Sequence, residues 1–154
     1  MLLDLLRFAH VIGATVLLGT GAGIAFFMVM AQRGGDPRRA ADVAEIVVIA
    51  DTVFTASAAV VQPITGALLA LALGWPLTEG WVAWSLALYI LIGAFWLPVV
   101  WIQIRLRDIA RQAVRDGTAL PPRYHRLYRI WFACGIPAFA AVLAILWLML
   151  VRPA

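Results

Sequence analysis

An apolar stretch of about 20 residues crosses a bilayer as an α-helix, because only a helix satisfies every backbone N–H and C=O where no water is at hand. Four such stretches run through this chain, at roughly 5–30, 46–73, 81–104 and 129–150. They account for most of the 154 residues and leave no room for a second domain. Composition agrees. Hydrophobic residues make up 64% of the chain and charged residues 13%, an excess that a water-soluble core could not absorb. The expected fold is therefore all-α: one integral membrane domain over 1–154, a four-helix antiparallel bundle with up-down connections. The first run is not read as a cleaved signal peptide. It is too long, and its positive charge follows it rather than precedes it.

Orientation comes from the cations. All 12 basic residues are arginine. Arg33, Arg38 and Arg39 fall in the first loop, and Arg105, Arg107, Arg111, Arg115, Arg123, Arg126 and Arg129 in the third loop and its flanks. The middle loop, GWPLTEG, has none. Basic loops stay in the cytoplasm. The first and third loops are thus expected in the cytoplasm of a bacterial inner membrane, with both termini outside. This arrangement also explains the basic pI, so nucleic acid is not an expected partner. The expected partners are the lipid bilayer and either a second copy of the chain or another membrane protein.

Aromatic rings cluster where the runs end. Trp75, Trp81, Trp84 and Trp147 fall near the outer boundary, and Trp101, Tyr124, Tyr128 and Trp131 near the inner one. Trp96 lies deeper and reads as packing. Asp36-Pro37 is a helix start, an N-cap acid followed by proline at the first helical position. Gly117 is a C-cap. Helices two and three should therefore extend into the cytosol as a short basic stalk, and residues 118–123 form a turn before the fourth helix.

Polar groups inside the runs narrow the search for function, since a polar side chain in a bilayer faces the bundle interior or water. On the second helix Asp51, Thr55, Ala58, Gln62, Thr65 and Gly66 recur at steps of mostly three or four and make one stripe. Interhelical hydrogen bonding is its plain reading, and the lining of a ligand or proton path its sharper one. Asp51 sits at the depth of Gln103 and Arg105 on the third helix and Arg129 on the fourth, so an ion pair with Arg105 or Arg129 is expected. His10, Gly13, Ala14, Leu17, Thr20 and Gly21 share a face of the first helix. Gly19 and Gly23 have the spacing that lets backbones approach closely. Prolines 63, 98 and 137 interrupt the last three spans; each removes a backbone donor and strands the carbonyl four residues earlier.

His10 carries three readings. It can hydrogen-bond to Gln62 or a backbone carbonyl, it can ligate haem iron, with Gly13 and Gly21 leaving room for the macrocycle, and it can carry protons. The only other histidine, His125, is in a loop. The single cysteine, Cys134, rules out an intramolecular disulfide and a cysteine metal cluster. No HExxH, CxxC, Walker or GxSxG motif occurs.

The strings LRFAHVIGATVLLGTGAGIAFFM, ADTVFTASAAVVQPITG, LYILIGAFWLPVVWIQIRLRD and RIWFACGIPAFAAVLAILWLM resemble the bacterial predicted integral membrane proteins of domain-of-unknown-function family 2269. The resemblance covers nearly the whole chain and implies a small four-span inner-membrane protein. A histidine in a glycine-containing first span is also similar, more distantly, to protoporphyrinogen oxidases of the HemJ type and to CopD-like copper-resistance proteins. The first of these implies haem b at His10.

Three functions fit these residues. The leading one is a structural or accessory membrane protein or small-ligand binder. The alternatives are a haem-binding redox protein using His10 and an oligomeric transporter lined by Asp51, Thr55, Gln62 and Thr65.

Overall fold

The computed structural model describes residues 1–153 and contains only helices and turns among them. α1 spans Leu2–Arg33. The second rod runs Pro37–Ala72. It comprises α2 (Pro37–Ala50), a π-helical turn (Asp51–Thr55) and α3 (Ala56–Ala72). α4 spans Gly80–Asp116 and α5 spans Pro122–Val151. All four rods are long and apolar enough to cross a membrane. The shortest has 30 residues. At about 1.5 Å per residue it measures about 45 Å, against a hydrocarbon core of about 30 Å, so every rod outruns the apolar layer.

Local chemistry sets the ends. Asp36 accepts hydrogen bonds from the backbone N–H groups of Arg38 (3.0 Å) and Arg39 (3.4 Å), which start α2. Gly117 ends α4 at φ 63°, a left-handed conformation that costs glycine nothing. Pro122 opens α5, where its fixed φ favours a first helical turn. The fourth helix therefore starts well before residue 129, and the turn expected over 118–123 closes sooner. Three rods, not two, build the stalk.

The short connections make neighbouring rods antiparallel. α1 packs along the whole second rod, α2 against α4, α4 against α5, and α5 back against α1. This closes a four-helix membrane bundle. The ring is tight only at the arginine-rich end. There Ala40, Ala44 and Val47 of α2 meet Ile102, Leu106, Ala110 and Ala113 of α4, with Leu120, Tyr124 and Trp131 filling the third side. Alanines facing each other let the rods approach closely, and Ala44, Leu106 and Ala110 are fully buried. An ion pair from Arg111 to Glu45 staples α4 to α2 on the rim.

The opposite half is organised as two pairs, α1 with α3 and α4 with α5. Tyr89 of α4 donates a hydrogen bond to the carbonyl of Ala59 on α3. That carbonyl is the one stranded by Pro63, which has no N–H to offer it. Around the outside, Phe26, Phe54, Trp84, Ile90, Leu97 and Trp147 are exposed, as residues solvated by lipid tails would be.

Candidate functional site

Polar side chains collect in two places between the rods. The first lies in the α1–α3 seam, toward the arginine-poor end. His10 Nδ1 is 2.9 Å from Thr65 Oγ1, and Gln62 Nε2 is 3.3 Å from His10 Nε2. Hydrogen-bond direction follows from the threonine. Its hydroxyl proton is directed to the carbonyl of Val61 (2.9 Å) or of Gln62 (3.1 Å), which leaves Oγ1 as the acceptor for His10 Nδ1–H. Nε2 then accepts from the Gln62 amide, and the imidazole is the neutral Nδ1–H tautomer.

Two glycines make the seam possible. A methyl group on Gly13 would collide with Gln62 Oε1, and one on Gly66 would stand 3.0 Å from His10 Cε1. Each helix thus inserts a polar side chain where the other lacks a side chain. Gln62 Oε1, pressed toward Gly13, has no hydrogen-bond partner.

The second cluster lies nearer the arginine-rich end and joins three rods. Asp51, 3% exposed, stands at the start of the π turn. Its Oδ1 accepts from Trp96 Nε1 of α4 at 3.3 Å. Gln103, also on α4 and 1% exposed, lies between Asp51 and Trp131 of α5. Trp131 Nε1 can only donate, so the amide oxygen must face it, at 3.2 Å. The amide nitrogen then donates to Asp51 Oδ2 at 2.8 Å. Thr55, one turn after Asp51 and 9% exposed, has its hydroxyl beside the carboxylate without an aligned hydrogen bond.

The ion pair expected from Asp51 to Arg105 or Arg129 is absent among the described residues. Arg105 points outward and lies over the Trp101 ring, 5.3 Å from its centroid, and Arg129 is exposed. A guanidinium reaches water from this depth at little cost, whereas bringing it inward would mean desolvating it. Trp96 supplies a hydrogen bond that a reading of it as packing overlooks. The expected close approach at Gly19 and Gly23 is corrected as well. A methyl group at Gly19 or Gly21 would meet nothing within 4 Å, and at Gly23 only its own helix's Phe27 at 4.0 Å. Gly13 and Gly66 are the glycines that bring helices together.

His125 belongs to neither cluster. Its Nδ1 is 2.8 Å from Gln32 Nε2, a contact that ties the start of α5 to the end of α1. Composition offered no signal for this pair, nor for the π turn.

The geometry does not suit a haem at His10. Both ring nitrogens are engaged, the ring lies against α3, and the space over Gly13 is taken by Gln62. Iron would need one nitrogen freed, and a macrocycle would need the seam opened.

Four apolar rods joined by buried polar contacts define a multi-pass integral membrane protein. The chain belongs to the DUF2269 family of predicted integral membrane proteins, whose model matches residues 4–153. No curated protein and no solved structure matches it. The more distant likeness to HemJ-type oxidases and CopD-like proteins is not supported by these comparisons.

Proposed function

We propose that the protein is a small accessory protein of the bacterial inner membrane, with the arginine-rich end in the cytoplasm and both termini outside. The observation that carries this reading is that His10, Asp51 and the carbonyl freed by Pro63 each find partners within the chain. His10 is used by Thr65 and Gln62, Asp51 by Trp96 and Gln103, and the carbonyl freed by Pro63 by Tyr89. These bonds hold rods together in a solvent that supplies no hydrophobic force between them. The outer surface is left apolar for lipid, for a second copy or for another membrane protein.

The orientation rests on the distribution of the arginines, ten of which lie at one end and none in the middle loop. A cysteine introduced as Thr118→Cys in a Cys134→Ala background tests it. It should resist a membrane-impermeant thiol reagent in whole cells and react after lysis. Ready labelling in whole cells would reverse the topology.

A visible spectrum of the protein purified in mild detergent separates the accessory reading from the haem reading. The expected result is no Soret band in the purified protein, and no shift or sharpening of the free haemin band when haemin is added. A Soret band that is lost in His10→Ala would overturn the accessory reading in favour of redox chemistry. The transporter reading has a weaker basis. Between Gln62 and Thr55 the stripe is carried by Ala58, 6% exposed, so its two polar clusters stand apart across a packed apolar position.

A further inference from the structure

Among the described residues Asp51 is the one acidic side chain deep in the bundle, and its neighbours are unusual for a carboxylate. A guanidinium partner would lock it in the ionised form. Instead its oxygens accept only from neutral donors, Trp96 Nε1–H and the Gln103 amide. Ionisable groups on the surrounding rods point elsewhere. α1 carries only His10 between Arg7 and Arg33, and His10 is engaged on α3. On α4, Arg105 lies over Trp101. On α5, Tyr128 stacks on Trp131, Arg129 is exposed and Cys134 is half-buried. On the second rod itself, the nearest ionisable group is Glu45, paired with Arg111.

Thr55 supplies a second, independent observation. Its hydroxyl is buried beside the carboxylate, yet makes no aligned hydrogen bond in a region where water is scarce. A hydroxyl can serve either form of its neighbour. It donates to a carboxylate and accepts from a carboxylic acid. The π turn places this pair in a stretch of helix whose hydrogen bonding is already shifted, since the Ala56 N–H reaches back five residues to the Asp51 carbonyl.

We propose that Asp51 and Thr55 form a proton-binding site, in which Asp51 takes up one proton as a carboxylic acid and hands its new O–H to Thr55 Oγ1. The step balances simply. A proton from water adds to a free lone pair on one Asp51 oxygen, the O–H bond forms without any change of oxidation state, and the Thr55 hydroxyl oxygen, until then unpaired, becomes the acceptor of a hydrogen bond from it. Release reverses each part. Trp96 and Gln103 stay bonded throughout and keep the carboxyl group oriented. The site is independent of what the protein docks with, so it can fail while the accessory reading stands.

Infrared difference spectroscopy on the full-length protein in lipid, in H2O and D2O across roughly pH 4 to 10, tests it. The expected result is a carboxylic acid C=O band that comes and goes with pH and is missing in Asp51→Asn. Thr55→Val, which keeps the shape and removes the acceptor, should shift that band to higher frequency. Wild-type and Asp51→Asn difference spectra that superimpose across the range would overturn the proposal. So would a band that responds to sodium concentration at fixed pH. Should Asp51→Asn fail to fold, Thr55→Val alone decides. A shifted band supports the site, and an unshifted one overturns it.

Discussion

The arginine-rich half and the opposite half of this bundle are held together by different physics. At the arginine-rich end the rods leave the hydrocarbon, and water drives Leu106, Ala110, Tyr124 and their neighbours into a core of the kind found in soluble helical proteins. In the other half, lipid tails are as apolar as the side chains and nothing expels leucine from them. The helices there meet where a hydrogen bond or a missing side chain makes contact worthwhile: His10 on Gly66, Gln62 on Gly13, Tyr89 on Ala59. Asp51, Gln103 and Trp131 mark the border between the two regimes, where burial and hydrogen bonding act together.

The largest expected effect tests that division directly. Leu106→Ala empties a site with 0% exposure and should destabilise by about 2–5 kcal/mol in a reversible unfolding titration in mixed micelles. Ile90→Ala, at a residue 73% exposed on the same helix, should cost almost nothing. Equal losses would mean that packing in the core at the arginine-rich end contributes no more than contact with lipid tails does.

Gln103→Leu comes next. It leaves the Trp131 N–H and one Asp51 oxygen without partners, at about 1–3 kcal/mol for each group orphaned in a buried site. The contrasting change is Tyr89→Phe, which removes the one bond between α4 and the carbonyl of Ala59. In lipid such bonds average under about 1 kcal/mol. A Tyr89→Phe loss larger than that of Gln103→Leu would shift the structural centre of the molecule to the open half.

Glycine substitutions sharpen the comparison within α1 itself. Gly13→Ala should be destabilising by about 1–3 kcal/mol, because its methyl group overlaps Gln62. Combining it with Gln62→Ala should restore part of that loss, a coupling that a double-mutant cycle measures. Gly21→Ala should go the other way and stabilise by about 0.5–1 kcal/mol, since nothing stands within 4 Å and alanine is the better helix former. Like signs at the two positions would remove the claim that Gly13, rather than Gly21, is the α1 glycine that marks the seam.

Sequence periodicity was enough to find the rods, their antiparallel order and the stripe carrying Asp51, Thr55, Gln62 and Thr65, because each depends on one helix's own pattern. The partners were less legible. His10 with Gln62 could be anticipated, since both lie on faces of small residues. Trp96 with Asp51 could not, since tryptophan in a membrane run looks the same whether it packs or donates. The place of Arg105 is hidden for a related reason. Depth alone placed it level with Asp51, but a long side chain settles where its charge is cheapest, and that is the water boundary. The spacing of Gly19 and Gly23 suggested an interface, yet whether a glycine touches a neighbour depends on which face the fold turns inward. The early start of α5 was legible in principle, because proline opens a helix as readily as it closes a turn.

The smallest expected effect concerns the staple between Glu45 and Arg111, whose side chains are 45% and 39% exposed. Both partners already reach water, so the pair gains little by forming, and salt screens what it gains. Glu45→Gln should lower the melting temperature slightly at low ionic strength and have no measurable effect near 1 M salt, where the Debye length falls to about 3 Å. The loss caused by Gln103→Leu should not change with salt, because the bonds it breaks are buried and are not made between exposed charges. Salt concentration therefore divides the interactions at this end of the bundle. Those on its rim fade in brine and those in its interior do not, and a salt-dependent Gln103→Leu would show that water reaches the border cluster after all.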